Sequence, residues 1–280
     1  MAKILVKRFG KVDEGLSGEV LDILNECYNR LQPHDVQIVD LYLFQRSSTM
    51  NAFLSDEKGR LGIATSPLDT SFLATHDAWR GTPRVMMALD RMLDLSKLIR
   101  LGAIRHEAAH TILHGSLEYY IFSVPTGLMK LGAMNLLPRQ SILDILYLVS
   151  IAVKDYEVTR LLYERGYVED QVAYSKYLLE PSREDLQAWK LAQTDKRATL
   201  LVLVSILKTV CCAAPLLEDE RYGSDVVKAI DQSMSYLPEA LSRWLLGMLK
   251  AATDFNCDTH RNVELFTNKI VLILDEDYWP

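Results

Sequence analysis

The stretch Lys97–Gly115, KLIRLGAIRHEAAHTILHG, decides how the rest of the chain is read. Ser96 before it is a helix N-cap residue and Gly115 after it suits a left-handed C-cap, so one helix is expected from Lys97 to Leu113. At about 100° per residue, Ile99, Ala103, His106, His110 and His114 share one side, while Leu101, Ile104, Ala108 and Ile112 lie roughly opposite. A helix apolar on nearly every side belongs between two layers, with small Ala103 leaving room beside the imidazoles. His106-Glu107-Ala108-Ala109-His110 sets two imidazoles one turn apart, a spacing that lets both reach one divalent metal. Glu107 projects about 100° from His106, where its carboxylate can take a proton from a water at the metal without ligating the ion. A shuffled chain of this composition would contain the pattern about once in a hundred trials, so its helical setting carries the reading as much as the string does.

Composition sets the outer bounds. With 280 residues the chain can bury a substantial core, and 49% hydrophobic with 24% charged residues is ordinary for a soluble globular protein. A net charge of −6 gives no electrostatic case for nucleic acid or an anionic membrane as a partner. The run Met1–Arg8 is too short in apolar residues to read as a secretory signal. Cys27, Cys211, Cys212 and Cys257 lack Cys-x-x-Cys spacing and include an adjacent pair, which suits neither a disulfide framework nor a zinc ribbon, so a reducing cytoplasm is expected. Ala198 to Leu217 is long and apolar enough to test as a membrane span, but central Lys208 and Pro215 favour a buried core helix.

Around the histidine helix the expected architecture is α+β. Residues 1–115 read as a mixed sheet with a backing helix and the histidine helix, and residues 116–280 as a mainly helical part of the same compact unit. Strands are expected at Lys3–Arg8 and Val36–Phe44, with an amphipathic helix from Ser17 to Leu31 between them. Asn51–Leu54 and Leu61–Ala64 read as a hairpin about Ser55–Arg60, with Gly59 at positive φ. A loop from Ser66 to Pro83 containing His76, Asp77 and Trp79 precedes a last strand at Arg84–Leu89. Beyond Gly115, Ser116–Pro138 reads as an irregular apolar connection and Ser141–Arg165 as a strong helix ended by Gly166. Ser182 with Asp185 opens another helix, helices continue through Lys250, and Lys269–Leu274 reads as a strand returning to the sheet.

A catalytic zinc takes three protein ligands and keeps one position open, and His106 and His110 supply two. His114 lies one further turn along, but three successive turns spread over about 12 Å of axis, too far for one ion. It reads instead as an outer partner of the site or as a helix-terminal histidine favoured by the dipole. The other candidates, Asp155 and Glu157, sit on the Ser141–Arg165 helix. Asp155 falls with Asp144, Leu148, Ile151, Val158 and Leu162 on a mainly apolar stripe, where a buried carboxylate needs a compensating partner such as a metal or a buried Arg or Lys. Glu157 falls with Ser150, Arg160 and Glu164 on a side expected to be solvated.

His106-Glu107-x-x-His110 followed by a carboxylate on a later helix resembles the gluzincin branch of zinc metallopeptidases. The third ligand of that group is typically a Glu that opens a Glu-x-x-small-polar pattern. Asp155-Tyr156-Glu157-Val158-Thr159 fits that register, with Asp in place of the Glu and Thr159 as the polar residue behind it. Strands, edge strand and active helix over about Val36–Gly166 are similar in order to the upper half of a zincin, where an edge strand binds the peptide. The resemblance implies a Zn²⁺-dependent peptidase acting on peptide or protein substrates, with Glu107 as general base. Further donors for the developing oxyanion would come from His114, Tyr119, Tyr120 or Tyr156. The alternative reading is a non-catalytic zinc-bound interaction or regulatory protein that retains the fold, and the residues do not separate a peptidase from a hydrolase of non-peptide amides.

Overall fold

The computed structural model describes residues 2–61 and 73–275. It is α+β, with a four-stranded mixed sheet near the N-terminus and a helical C-terminal half. The chain divides into two compact units, one of Met1–Ile121 with Leu161–Tyr174, the other of Phe122–Arg160 with Ser175–Pro280. The elements run β1 (Lys3–Phe9), α1 (Glu14–Arg30), β2 (Ile38–Phe44), α2 (Ser47–Leu61), β3 (Ala74–Asp77), β4 (Arg84–Ala88), α3 (Leu89–Met92) and α4 (Lys97–Leu113). Then follow α5 (Thr126–Ala133), α6 (Arg139–Glu164), α7 (Glu169–Leu178), α8 (Arg183–Ala192), α9 (Lys196–Ala213), α10 (Gly223–Ser233), α11 (Glu239–Ala252) and α12 (Thr259–Ile270).

In the first unit the strand order is β1-β2-β4-β3, parallel between β1, β2 and β4, and antiparallel between β4 and the edge strand β3. Alternation along the strands sends side chains to two faces. On one face Tyr42, Phe44, Met86 and Ala88 form a cluster with Met50 and Leu54 of α2, and Phe9 stacks on Phe44 with ring centroids 4.4 Å apart. Residues of the opposite register, including Val39, Leu41, Leu43, Val85 and Met87, are wholly buried, and α4 packs against β3 and β4. Helix α1 packs on α4, where the Tyr28 and Thr111 hydroxyls hydrogen-bond at 2.7 Å.

Two expected strands are helices. The hairpin placed about Ser55–Arg60 is part of α2, with residues 62–64 outside the described residues. Met50 and Leu54 recur one helical turn apart and bury together against the sheet, while Asp90 accepts hydrogen bonds from the Ser47 amide and hydroxyl at the first turn. The returning strand expected at Lys269–Leu274 is the end of α12 and a 3₁₀ turn at Val271–Asp275. Asp258 caps α12 by accepting from the Arg261 amide, and Val263, Phe266 and Ile270 bury one face of it. The Ser66–Pro83 segment contains β3, and residues 66–72 lie outside the described residues. Ser116–Pro138 is more regular than expected, with a 3₁₀ turn at Leu117–Tyr120 followed by α5.

In the second unit, α9 packs against α8, α10 and α11, and α12 against α5 and α11. The apolar stretch tested as a span is α9 and the short turn after it. Among the described residues this is the one helix long and apolar enough to cross a membrane, and 61% of its apolar window is buried, as in a core helix. Gly166 follows the end of α6 at φ +79°, a left-handed conformation that favours glycine. Ser182 and Asp185 form the reciprocal cap at the start of α8.

Candidate metal centre

Helix α4 spans Lys97–Leu113 as its sequence predicts, with the Ser96 side chain accepting from the Ile99 amide. Its end differs in mechanism: Gly115 is not at positive φ, and His114, at φ −128°, closes the helix through its amide to the His110 carbonyl. Gly115 is needed for space, because a Cβ there would collide with the Thr111 carbonyl. From Gly102 to Thr111 every residue except Arg105 is buried, so the expected sandwiching of this helix is observed. Gly102 does similar work further along, since a Cβ would strike the Asp170 carbonyl. The resulting close approach brings Tyr174 of α7 to 5.4 Å from the His106 ring.

His106 and His110 converge. Their Nε2 atoms stand 3.0 Å apart and their rings are inclined at 74°, so both in-plane lone pairs can point to one position. Two nitrogens bound tetrahedrally at zinc distance would be about 3.4 Å apart, so the pair is already near ligating geometry. The other edge of the second imidazole is also engaged, with His110 Nδ1 3.3 Å from His114 Nδ1. All three histidines are buried.

Glu107 is buried on the adjoining side of α4, and its Oε2 lies 2.8 Å from Nδ1 of His76. A carboxylate only accepts, so His76 donates from Nδ1. Within the first unit, ligand atoms of His76, Glu107 and His110 lie within 4.8 Å of one another, a group that could hold an ion. The ring geometry argues against His76 as a co-ligand of His110, because the two imidazoles stack 3.7 Å apart at 12°. At a bond length of about 2.1 Å, an ion midway between such rings would stand far out of both ring planes, away from the lone pairs. His76 is therefore placed to pair with the Glu107 carboxylate and poorly placed to share an ion with His110.

The strand that carries His76 is anchored on its opposite face. Asp77 pairs across the sheet with Arg84, whose guanidinium grips Asp77 with Nε and Nη2 at 3.1 and 2.6 Å and also chelates Glu57 of α2. Arg80 adds a second cation to Glu57. Burial opposes the charge on Glu57, yet Arg84 and Arg80 together hold its carboxyl below the usual range. Burial leaves Asp77 above its usual range despite Arg84, and the two carboxylates lift the Arg84 guanidinium against its own desolvation.

Of the two third-ligand candidates, both on the part of α6 within the second unit, Asp155 is half-buried and Glu157 is buried. The expected solvated setting of Glu157 is thus corrected. Thr259 Oγ1 and Asn262 Nδ2 of α12 donate to its two oxygens at 2.8 and 2.7 Å, which compensates a buried carboxylate without a metal. Thr159 lies 3.5 Å from Cys212 Sγ. Among the expected oxyanion donors, Tyr119 lies 5.1 Å from His114 and Tyr120 6.4 Å from His76 by ring centroids. Tyr156 packs instead on Phe255 and Arg160 in the second unit.

Sequence reasoning missed the role of His76, which falls in a segment read as loop. A four-residue strand, Ala74-Thr75-His76-Asp77, carries too little apolar alternation to declare itself. Comparison of the chain with protein-family models, with curated proteins and with solved structures finds no match.

Proposed function

We propose that this protein is a zinc-dependent peptidase. The observation that carries the reading is the convergence of two buried imidazoles, His106 and His110, beside a buried carboxylate held by a hydrogen bond from outside its own helix. Zinc bound there would acidify a water and polarise a scissile carbonyl. Glu107 takes the proton of the attacking water and returns it to the leaving amine, the work of a general base that then acts as acid. His106 and His110 would hold the ion, and the resemblance to gluzincins names Asp155 as the third ligand. Glu157 is committed to Thr259 and Asn262, whereas Asp155 opens the register that the resemblance to gluzincins requires. Tyr119 and Tyr120, close to His114 and His76, are the proposed sources of an oxyanion donor.

Edge strand β3 supports a peptide as substrate, because an outer strand can pair with an extended backbone and its His76 already touches the base. A cytoplasmic setting is supported by four free thiols, three of them buried. The test is cleavage of a peptide library by the zinc-loaded protein, with a chelated control and Glu107→Gln alongside. The expected result is metal-dependent cleavage that Glu107→Gln abolishes while retaining zinc. Unchanged turnover in that variant removes Glu107 from the mechanism. A protein that binds zinc and cleaves nothing supports the non-catalytic alternative.

A further inference from the structure

The side chain of His76 is held on four counts. Its strand is paired, with His76 opposite Val85 in the β3–β4 register. The next residue, Asp77, is gripped by Arg84 on the opposite face of the sheet. Its ring lies flat on His110 at 3.7 Å, and its Nδ1 donates to Glu107 Oε2 at 2.8 Å. Both partners are largely out of solvent, with side-chain exposures of 14% for His76 and 6% for Glu107. Its Nε2 is buried and meets no hydrogen-bond partner among the described residues. The Nδ1–H tautomer suits this setting, because it leaves an acceptor rather than an unmet donor at that atom.

We propose that His76 is the positioning residue of Glu107, fixing Oε2 from the edge strand so that the remaining oxygen is presented to the reacting water. This rests on the peptidase reading above. A glutamate on a helix flank has three rotatable bonds, and an unrestrained carboxylate would sample several rotamers. A donor fixed in a strand selects one of them before substrate arrives, and the gain appears in the rate of the chemical step rather than in substrate affinity. Because β3 is the outer strand, the residue that aligns the base stands on the element where an extended substrate would pair. In this reading one side chain couples substrate docking to base alignment.

Two variants separate positioning from mere packing. His76→Asn places an amide N–H near the position of Nδ1, whereas His76→Leu fills the volume without a donor. Each is compared with the wild type for kcat and KM on a peptide that the wild type cleaves, for zinc per chain, and for the absorption spectrum of the cobalt-substituted protein. For His76→Leu, kcat should fall about tenfold or more with KM, zinc content and cobalt spectrum unchanged, and His76→Asn should recover most of the loss. Wild-type kcat in His76→Leu overturns the proposal, as does an Asn variant no better than Leu. Loss of zinc or an altered cobalt spectrum in the Leu variant makes His76 a ligand and overturns it equally. A zinc-loaded wild type that cleaves nothing defeats the peptidase reading itself and this role with it.

Discussion

Nδ1 of His110 and Nδ1 of His114 stand 3.3 Å apart at the C-terminal end of α4, both buried, while the Nε2 of His110 turns towards His106. One imidazole thus presents opposite edges to two neighbours a turn away on either side. In the zinc reading the Nε2 edge ligates and the Nδ1 edge is oriented by His114, an arrangement that fixes tautomer and ring rotation of the ligand. His114→Phe keeps the ring volume and removes the partner. Zinc affinity should fall by about tenfold to a hundredfold, with one ion per chain restored at excess metal. Competition with a chromophoric chelator measures this, and an unchanged affinity would show that His114 only packs.

Asp155 and Glu157, two residues apart on α6, should separate cleanly under mutation. Glu157→Ala strands the Thr259 hydroxyl and one N–H of the Asn262 amide, whose Nδ2 keeps only its bond to the Asn256 carbonyl. Leaving such buried donors unmet should destabilise the fold by about 2 kcal/mol or more. Zinc content should be unchanged. Asp155→Ala should do the reverse, reducing zinc affinity at little cost to the metal-free protein. Thermal unfolding and metal analysis of both variants decide it, and zinc loss in Glu157→Ala alone would move the ligand assignment to Glu157.

The same two carboxylates show where sequence stops being informative. Helical projection placed Asp155 on an apolar stripe and Glu157 on a polar one, and it correctly treated α6 as one long helix. It could not know that α12, about a hundred residues further on, brings Thr259 and Asn262 to the polar stripe and buries Glu157 there. Helix α4 was legible because cap, periodicity and motif all lie within twenty residues and agree. Helix α2 was misread because the polar run Ser55–Arg60 looks like a turn, whereas Met50 and Leu54 bury against a sheet whose strands come from elsewhere in the chain. His76 escaped for a related reason: its partner Glu107 is 31 residues away, and only the β3–β4 register aims it there.

Lys154, beside Asp155 on α6, should give the fold a pH dependence through its buried ammonium. Burial pushes its ammonium down from the ordinary lysine value of 10.5 to about 8, although Asp155 and Glu157 pull the other way. Below pH 8 the lysine is charged both folded and unfolded, and the folded state bears the full cost of burying it. Between pH 8 and 10.5 the folded protein sheds the proton while the unfolded chain keeps it. The unfolded state then binds more protons, and stability rises with pH. Lys154→Met lacks this titration. In chelator-treated protein, the stability of the wild type relative to Lys154→Met should therefore shift in favour of the wild type across that window, by a few kcal/mol at most. Urea unfolding of both proteins at several pH values measures the difference. A flat difference would mean that the carboxylate neighbours offset the burial of the ammonium, and one that moves against the wild type that they outweigh it.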